Sequence, residues 1–232
     1  MINYGKQFID SKDINSVIKV LKGNWLTQGP MVQKFEDAIK LNFGSRYCTA
    51  VSSGTAALHL VGLALGWQRG DVILTSPISF LATSNCILYS GAKPVFIDIE
   101  DSHFTIDTKK LEQKIKFYKK RKKRVTAIIV TDYAGHPSDW KKIRFLGKKY
   151  KIKLINDNCH ALGASVNSSR NYATKFADIV THSYHPVKNI TSGEGGSILC
   201  NDKALDKKFK ILRSHGVERF RQKKLWYYQM NE

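Results

Sequence analysis

Residues 140–163 read WKKIRFLGKKYKIKLINDNCHALG, and the fold turns on how this stretch is divided. Trp140 to Tyr150 is helix-like, and Lys153 to Asn156 is a short apolar run that reads as a strand. Asn156-Asp157-Asn158-Cys159-His160-Ala161-Leu162-Gly163 follows at once, which puts Asp157 at the strand's carboxyl end. A strand that is apolar throughout, rather than at every second residue, is covered on both faces. Such strands belong to mainly parallel sheets with helices on either side.

The same unit recurs along the chain. Short apolar runs predict strands at Tyr47 to Val51, Val72 to Thr75, Pro94 to Ile97, Val125 to Val130, Asp178 to His182 and Ser197 to Cys200. Helix-like stretches lie between most of them, including Met31 to Asn42, Thr55 to Leu65, Leu81 to Tyr89 and Leu111 to Tyr118. Near the start, Ile14, Val17, Ile18 and Leu21 recur at helical spacing and Gly23 is a C-terminal stop, so residues 1–30 read as an arm with a surface helix. The expectation is an α/β fold with a seven-stranded, mainly parallel sheet. The chain then ends soon after a polar, aromatic segment.

Ligands of such sheets sit at the carboxyl ends of the strands, so the loops there carry the chemistry. Ser52-Ser53-Gly54-Thr55-Ala56-Ala57 forms a strand-to-helix turn where free amides, a hydroxyl and the helix dipole suit a phosphate; a plain N-capped helix reads the same. Asp157 either caps the turn that follows it or, partly buried, meets a cation such as a protonated pyridine nitrogen. His182-Ser183-Tyr184-His185-Pro186-Val187-Lys188 leads into a Gly- and Ser-rich loop, where Lys188 faces the ligand edge and its amine suits imine chemistry. Neither a P-loop nor a dinucleotide fingerprint is present.

Composition limits the alternatives. With 38 Lys and Arg against 19 Asp and Glu, the formal charge is +19, which raises a nucleic-acid reading through the run Lys119 to Arg124 and the aromatics Trp226, Tyr227 and Tyr228. That run falls where a solvated helix end and loop are expected, and a smaller anion such as a nucleotide diphosphate profits from the same field. His160, His182 and His185 with Asp157 offer a metal reading, but no His-Glu-x-x-His anchors it. The four cysteines are widely spaced and read as buried thiols. No stretch approaches the length of a membrane span, so a soluble cytoplasmic protein with no membrane partner is expected.

With these three motifs in this order, the chain resembles the sugar aminotransferases of the DegT/DnrJ/EryC1/StrS family. Asn24-Trp25-Leu26-Thr27-Gln28-Gly29-Pro30, Ser76-Pro77-Ile78-Ser79-Phe80-Leu81-Ala82-Thr83-Ser84-Asn85 and Asp132-Tyr133-Ala134-Gly135 extend the likeness over nearly all 232 residues. The resemblance implies the fold type I architecture, with residues 31–232 as the large domain that binds pyridoxal 5′-phosphate. It implies Lys188 as the Schiff-base lysine and Asp157 at the pyridine nitrogen. The phosphate falls to Thr55, the amides of Gly54 and Thr55, and the hydroxyl of Ser183. Phe80 is implied to stack on the ring, His160 to lie near its 3-hydroxyl, His185 to contact cofactor or substrate, and Tyr4 to contact the substrate.

Within the family, Tyr4-Gly5-Lys6-Gln7, Asp132-Tyr133-Ala134-Gly135 and Ser214-His215-Gly216 are most similar to members of pseudaminic acid synthesis. Those members aminate C4 of a UDP-linked 4-keto-6-deoxy-N-acetylhexosamine, with L-glutamate as the implied donor and a homodimer as the implied assembly. Relatives that dehydrate sugars carry histidine at the lysine position, so Lys188 favours transamination. Family members continue into a smaller C-terminal domain. A chain without it is expected to expose apolar surface, and the alternative is an impaired member of the same family.

Overall fold

A computed structural model describes residues 5–219 and 228–230; Tyr4, Trp226 and Tyr227, and the side chain of Tyr228, lie outside the described parts. Seven strands form one sheet: β1 (Tyr47–Val51), β2 (Val72–Thr75), β3 (Lys93–Phe96), β4 (Val125–Thr131), β5 (Lys153–Asp157), β6 (Ile179–Ser183) and β7 (Gly196–Cys200). Their order is β1-β7-β6-β5-β4-β2-β3. All pairs are parallel except those made by β7, which runs against both β1 and β6.

The helices of this sheet are α2 (Pro30–Phe43), α3 (Gly54–Ala64), α4 (Ala82–Tyr89), α5 (Thr108–Lys120), α6 (Trp140–Tyr150), α7 (Tyr172–Phe176) and α8 (Lys203–Arg213). They make two cores. Ile128 and Val130 of β4 point into one, with Leu111 of α5 and Ile143 of α6; Ala127 and Ile129 point into the other, with Val61 of α3, Cys86 of α4 and Phe209 of α8. Successive side chains of a strand face opposite ways, so two cores call for apolar residues at successive positions along the strand centres. That is why these strands show no alternation.

Two features go beyond the sequence reading. The polar, aromatic segment before the end contributes a two-stranded antiparallel ribbon, β8 (Val217–Arg219) with β9 (Tyr228–Met230). The helix α1 (Ser11–Leu21) forms as expected, capped by Asp10, but has no buried residue; Val17 and Leu21 are 59% and 62% exposed. Among the described residues, its apolar face is thus unpartnered. Among the described residues, no helix is long and apolar enough to cross a membrane.

Candidate active site

The carboxyl ends of β1, β4, β5 and β6 share one edge of the sheet with the start of β7, and most of the motif residues meet there. Ser53 caps α3, its hydroxyl accepting from the Ala56 amide at 3.0 Å. The amides of Gly54 and Thr55 open the helix and have no helical acceptor behind them. Gly54 is pressed against β6: a Cβ there would lie 2.9 Å from Ser183 Cβ and 3.1 Å from Cys159 Sγ. Gly196 closes the other side. Its Cβ would fall 2.8 Å from the Gly54 amide nitrogen and closer still to the Ser53 carbonyl. Two glycines therefore allow backbone and hydroxyl groups to crowd around one concave point, as a phosphate requires.

Asp157, the last residue of β5, is 3% exposed. Its Oδ2 accepts from the Thr83 hydroxyl at 2.6 Å and its Oδ1 from the Cys159 amide at 3.4 Å. Thr83 also bonds Ser79 at 2.6 Å, and Ser79 bonds Thr131 at 2.9 Å, so a relay of hydroxyls fastens the carboxylate to α4 and β4. Among the described residues no salt bridge reaches Asp157. A buried carboxylate held this way has capacity for a cation.

Lys188 lies half-buried in the loop between β6 and β7. Its charge acts on two neighbours of Asp157. Burial, then the Lys188 ammonium, lower the His160 imidazole below its usual range, with Asp157 opposing; burial and Asp157 hold the Cys159 thiol well above its usual range. His160 stands beside Tyr133, ring centroids 5.9 Å apart. Phe80 projects from the loop after β2 and is 64% exposed, its ring free to cover a ligand. His185 is exposed; its amide points to the Ser183 hydroxyl at 3.4 Å and its carbonyl accepts from the Lys188 amide at 2.9 Å, so it shapes the turn that carries the lysine. Tyr4 lies outside the described residues.

The pleat separates His182 from this group. His182 is 1% exposed among Phe43, Tyr184 and Ser197, on the face opposite Ser183, and its Nε2 has no hydrogen-bond partner among the described residues. No cluster of metal ligands occurs among the described residues. Burial pushes the His182 pKa down to about 3. Above the unfolded value of roughly 6.5 both states are neutral and nothing is gained or lost. Below it the unfolded chain takes a proton that the folded chain refuses, so stability falls with pH by about 2 kcal/mol at pH 5. Urea unfolding of a His182→Gln variant at pH 7 and pH 5 should show that loss reduced by this amount. An unchanged loss would remove His182 from the account.

Behind the sheet lies a cluster to which the motifs assigned no role, although Asp132, Asn156 and Asn158 stand within them. Asp132 is fully buried and accepts from the Ser138 amide at 2.9 Å, Trp140 Nε1 at 2.9 Å, Tyr172 OH at 2.8 Å, Asn156 Nδ2 at 3.0 Å and Asn158 Nδ2 at 3.2 Å. Burial pushes its acid up from the ordinary range, and these donors hold the anion against that. Asn156 and Asn158 flank Asp157, so Asp132 anchors the backbone from which Asp157 projects the other way. Thr83, Ser79, Thr131 and Gly196 were likewise unassigned from sequence; only the strand pleat and the placing of β7 reveal them.

Fold and site define a class: an α/β protein with an amide cradle, a buried carboxylate and a loop lysine on one sheet edge. The chain belongs to the DegT/DnrJ/EryC1/StrS aminotransferase family, whose profile matches residues 7–231. It is 42% identical over 226 residues to a UDP-4-amino-4,6-dideoxy-N-acetyl-beta-L-altrosamine transaminase of Campylobacter jejuni, covering 97% of this chain and 57% of that protein. Among solved structures it is similar to Helicobacter pylori PseC, an aminotransferase involved in the biosynthesis of pseudoaminic acid, with a TM-score of 0.88 and 32% identity over 99% of this chain and 59% of that one. The PLP-form of the putative sugar aminotransferase Spr1654 from Streptococcus pneumoniae follows at a TM-score of 0.84 and 26% identity, covering 99% and 60%. The chain thus spans well under two thirds of the length of these relatives.

Proposed function

We propose that this chain is the large, cofactor-binding part, residues 31–232 with the arm 1–30, of a cytoplasmic sugar-nucleotide aminotransferase that uses pyridoxal 5′-phosphate. The observation that carries the reading is the juxtaposition of the buried Asp157, which no salt bridge reaches among the described residues, with Lys188 and the Gly54–Ser183 cradle. The residues fit the cofactor on chemical grounds: one end offers amides and a hydroxyl to a dianion, and the other offers a carboxylate to a protonated nitrogen.

When bound, the cofactor supplies an electron sink and a carrier for the amino group. The chain's own groups do the rest. The amides of Gly54 and Thr55, the Thr55 hydroxyl and the Ser183 hydroxyl would hold the phosphate. Asp157, aimed by the Thr83 hydroxyl, would keep the pyridine nitrogen protonated. Phe80 would cover one face of the ring and exclude water there, while His160 would lie near the 3-hydroxyl. Lys188 Nζ would anchor the aldehyde carbon and carry the proton to and from the substrate carbon. His185 would contact the cofactor or the sugar, and Tyr4 the sugar.

The substrate is a UDP-linked 4-keto-6-deoxy-N-acetylhexosamine and the donor L-glutamate. The support for this is the 42% identity to the Campylobacter jejuni transaminase together with the likeness to PseC. A homodimer is favoured by the unpartnered apolar face of α1, which a second copy would cover. The test is a half-reaction: purified chain loaded with pyridoxal phosphate is mixed with L-glutamate, and the cofactor's visible absorbance is followed. Loss of that absorbance, restored by the keto sugar nucleotide, supports the reading. A spectrum indifferent to both would sink it.

A further inference from the structure

The opposite edge of the sheet holds a concavity that the proposed transamination does not use. It lies where β4 and β5 begin and where α5 and α6 end, with a cavity volume of about 330 Å³. Five cations line it, Lys119, Lys123, Arg124, Lys149 and Lys151, around the ring of Tyr150, and no carboxylate does. The buried Ile115 and Ile152 contribute apolar surface to its lining.

The plain explanation is that lysines gather at helix C-termini to offset the dipole. Magnitudes decide against it as the whole account. Two helix ends contribute about half a negative charge each, and Glu112, held by Lys149 at 3.0 Å and Lys116 at 3.4 Å, adds one more. Residues 116–124 bring seven cations and residues 148–153 four, so most of the positive charge here remains uncompensated. Lys119, Lys123, Arg124 and Lys151 pair with no carboxylate among the described residues.

The backbone adds a second observation. Lys151 caps α6 at φ 54°, in the left-handed region. Glycine or asparagine relaxes that conformation and lysine does not. At Lys151, which lines the pocket, charge is kept where local geometry favours its removal, a conflict typical of binding sites.

We propose that this pocket binds a compact polyphosphate, two or three linked phosphates, either inorganic or carried by a nucleoside. The cavity is small for an extended strand, which requires a groove that tracks the backbone. The Tyr150 ring has the ammonium groups of Lys119 and Lys149 at 5.7 and 5.2 Å, and its hydroxyl donates to Glu112 at 3.1 Å, so it is engaged by cations rather than presented as a base-stacking platform. Charge-assisted hydrogen bonds from several lysines and one arginine suit clustered phosphate oxygens.

The test is calorimetric titration with inorganic triphosphate of the whole chain loaded with one equivalent of pyridoxal phosphate, which covers the carboxyl-edge cradle, and freed of excess cofactor. Saturable binding is expected, and a Lys151→Gly/Lys123→Glu double variant should weaken it on the order of tenfold or more. The single Lys151→Gly variant separates this role from a structural one, because it should raise the melting temperature while lowering affinity. Equal affinity for inorganic and nucleoside triphosphate assigns recognition to the phosphates alone, and tighter nucleoside binding assigns part to the base; either supports the site. No saturable binding, binding indifferent to these substitutions, or an RNA oligonucleotide that binds more tightly than triphosphate through the same residues would overturn it.

Discussion

A Lys188→Ala variant is expected to fold normally and to lose every covalent and catalytic property of the cofactor site. The lysine sits in the loop between β6 and β7, where the turn is held by the backbone bond from its amide to the His185 carbonyl at 2.9 Å and by the Tyr184–Gly195 and Ser192–Tyr184 bonds, none of which needs its side chain. Stability should therefore change little. Borohydride treatment of the parent chain with pyridoxal phosphate should fix the cofactor to the peptide that contains residue 188, as read by mass spectrometry, and the variant should show no adduct there. Turnover should fall by several orders of magnitude, since the variant lacks the amine proposed to anchor the cofactor and move the proton. Residual cofactor affinity should persist through Gly54, Ser183 and Asp157. If both chains trap cofactor at the same yield and site, Lys188 has no such role.

The second large effect concerns stability. Asp132→Ala leaves five donors, the Ser138 amide, Trp140 Nε1, Tyr172 OH and the amides of Asn156 and Asn158, without their shared acceptor in a fully buried place. The expected cost is about 3–5 kcal/mol, the range for stripping one partner from a buried charged network. Because Asn156 and Asn158 bracket Asp157, the same variant should also weaken cofactor binding, while Asp139→Ala, which removes only the cap of α6, should cost about 1 kcal/mol and leave binding alone. Chemical denaturation and cofactor titration measure the two effects separately. Equal losses in both variants would mean that the Asp132 hub carries no special weight.

Much of this architecture was legible in advance. The helix, strand and loop of residues 140–163 fall at Trp140–Tyr150, Lys153–Asp157 and the turn beyond, as read. Short buried strands between helices leave a strong local mark, because each residue of such a strand enters one of two cores. Less was legible where the mark is weak. The five-residue α7 carries too little periodicity to read, and β8 and β9 hold each other across a segment whose pattern names no strand. Thr83 lay inside a recognised motif, yet its bond to Asp157 spans 74 residues and no local pattern encodes it.

Asp132 and Asp157 mark the boundary between what the sequence and the fold each decide. Both follow apolar strands and both are buried, and one residue's difference in register sends them to opposite faces: Asp157 ends β5 on the ligand side, and Asp132 stands one past β4, behind the sheet. The sequence by itself determined the order of strands and helices, the mainly parallel sheet and the chemical types at its carboxyl edge, since these depend on local periodicity and on the residues named. The tertiary structure alone decided that β7 lies between β1 and β6, that Gly196 thereby meets Ser53 and Gly54, and that His182 turns away from Ser183. Strand order and facing are set by burial summed over the whole sheet, a long-range energy that no short stretch of residues contains.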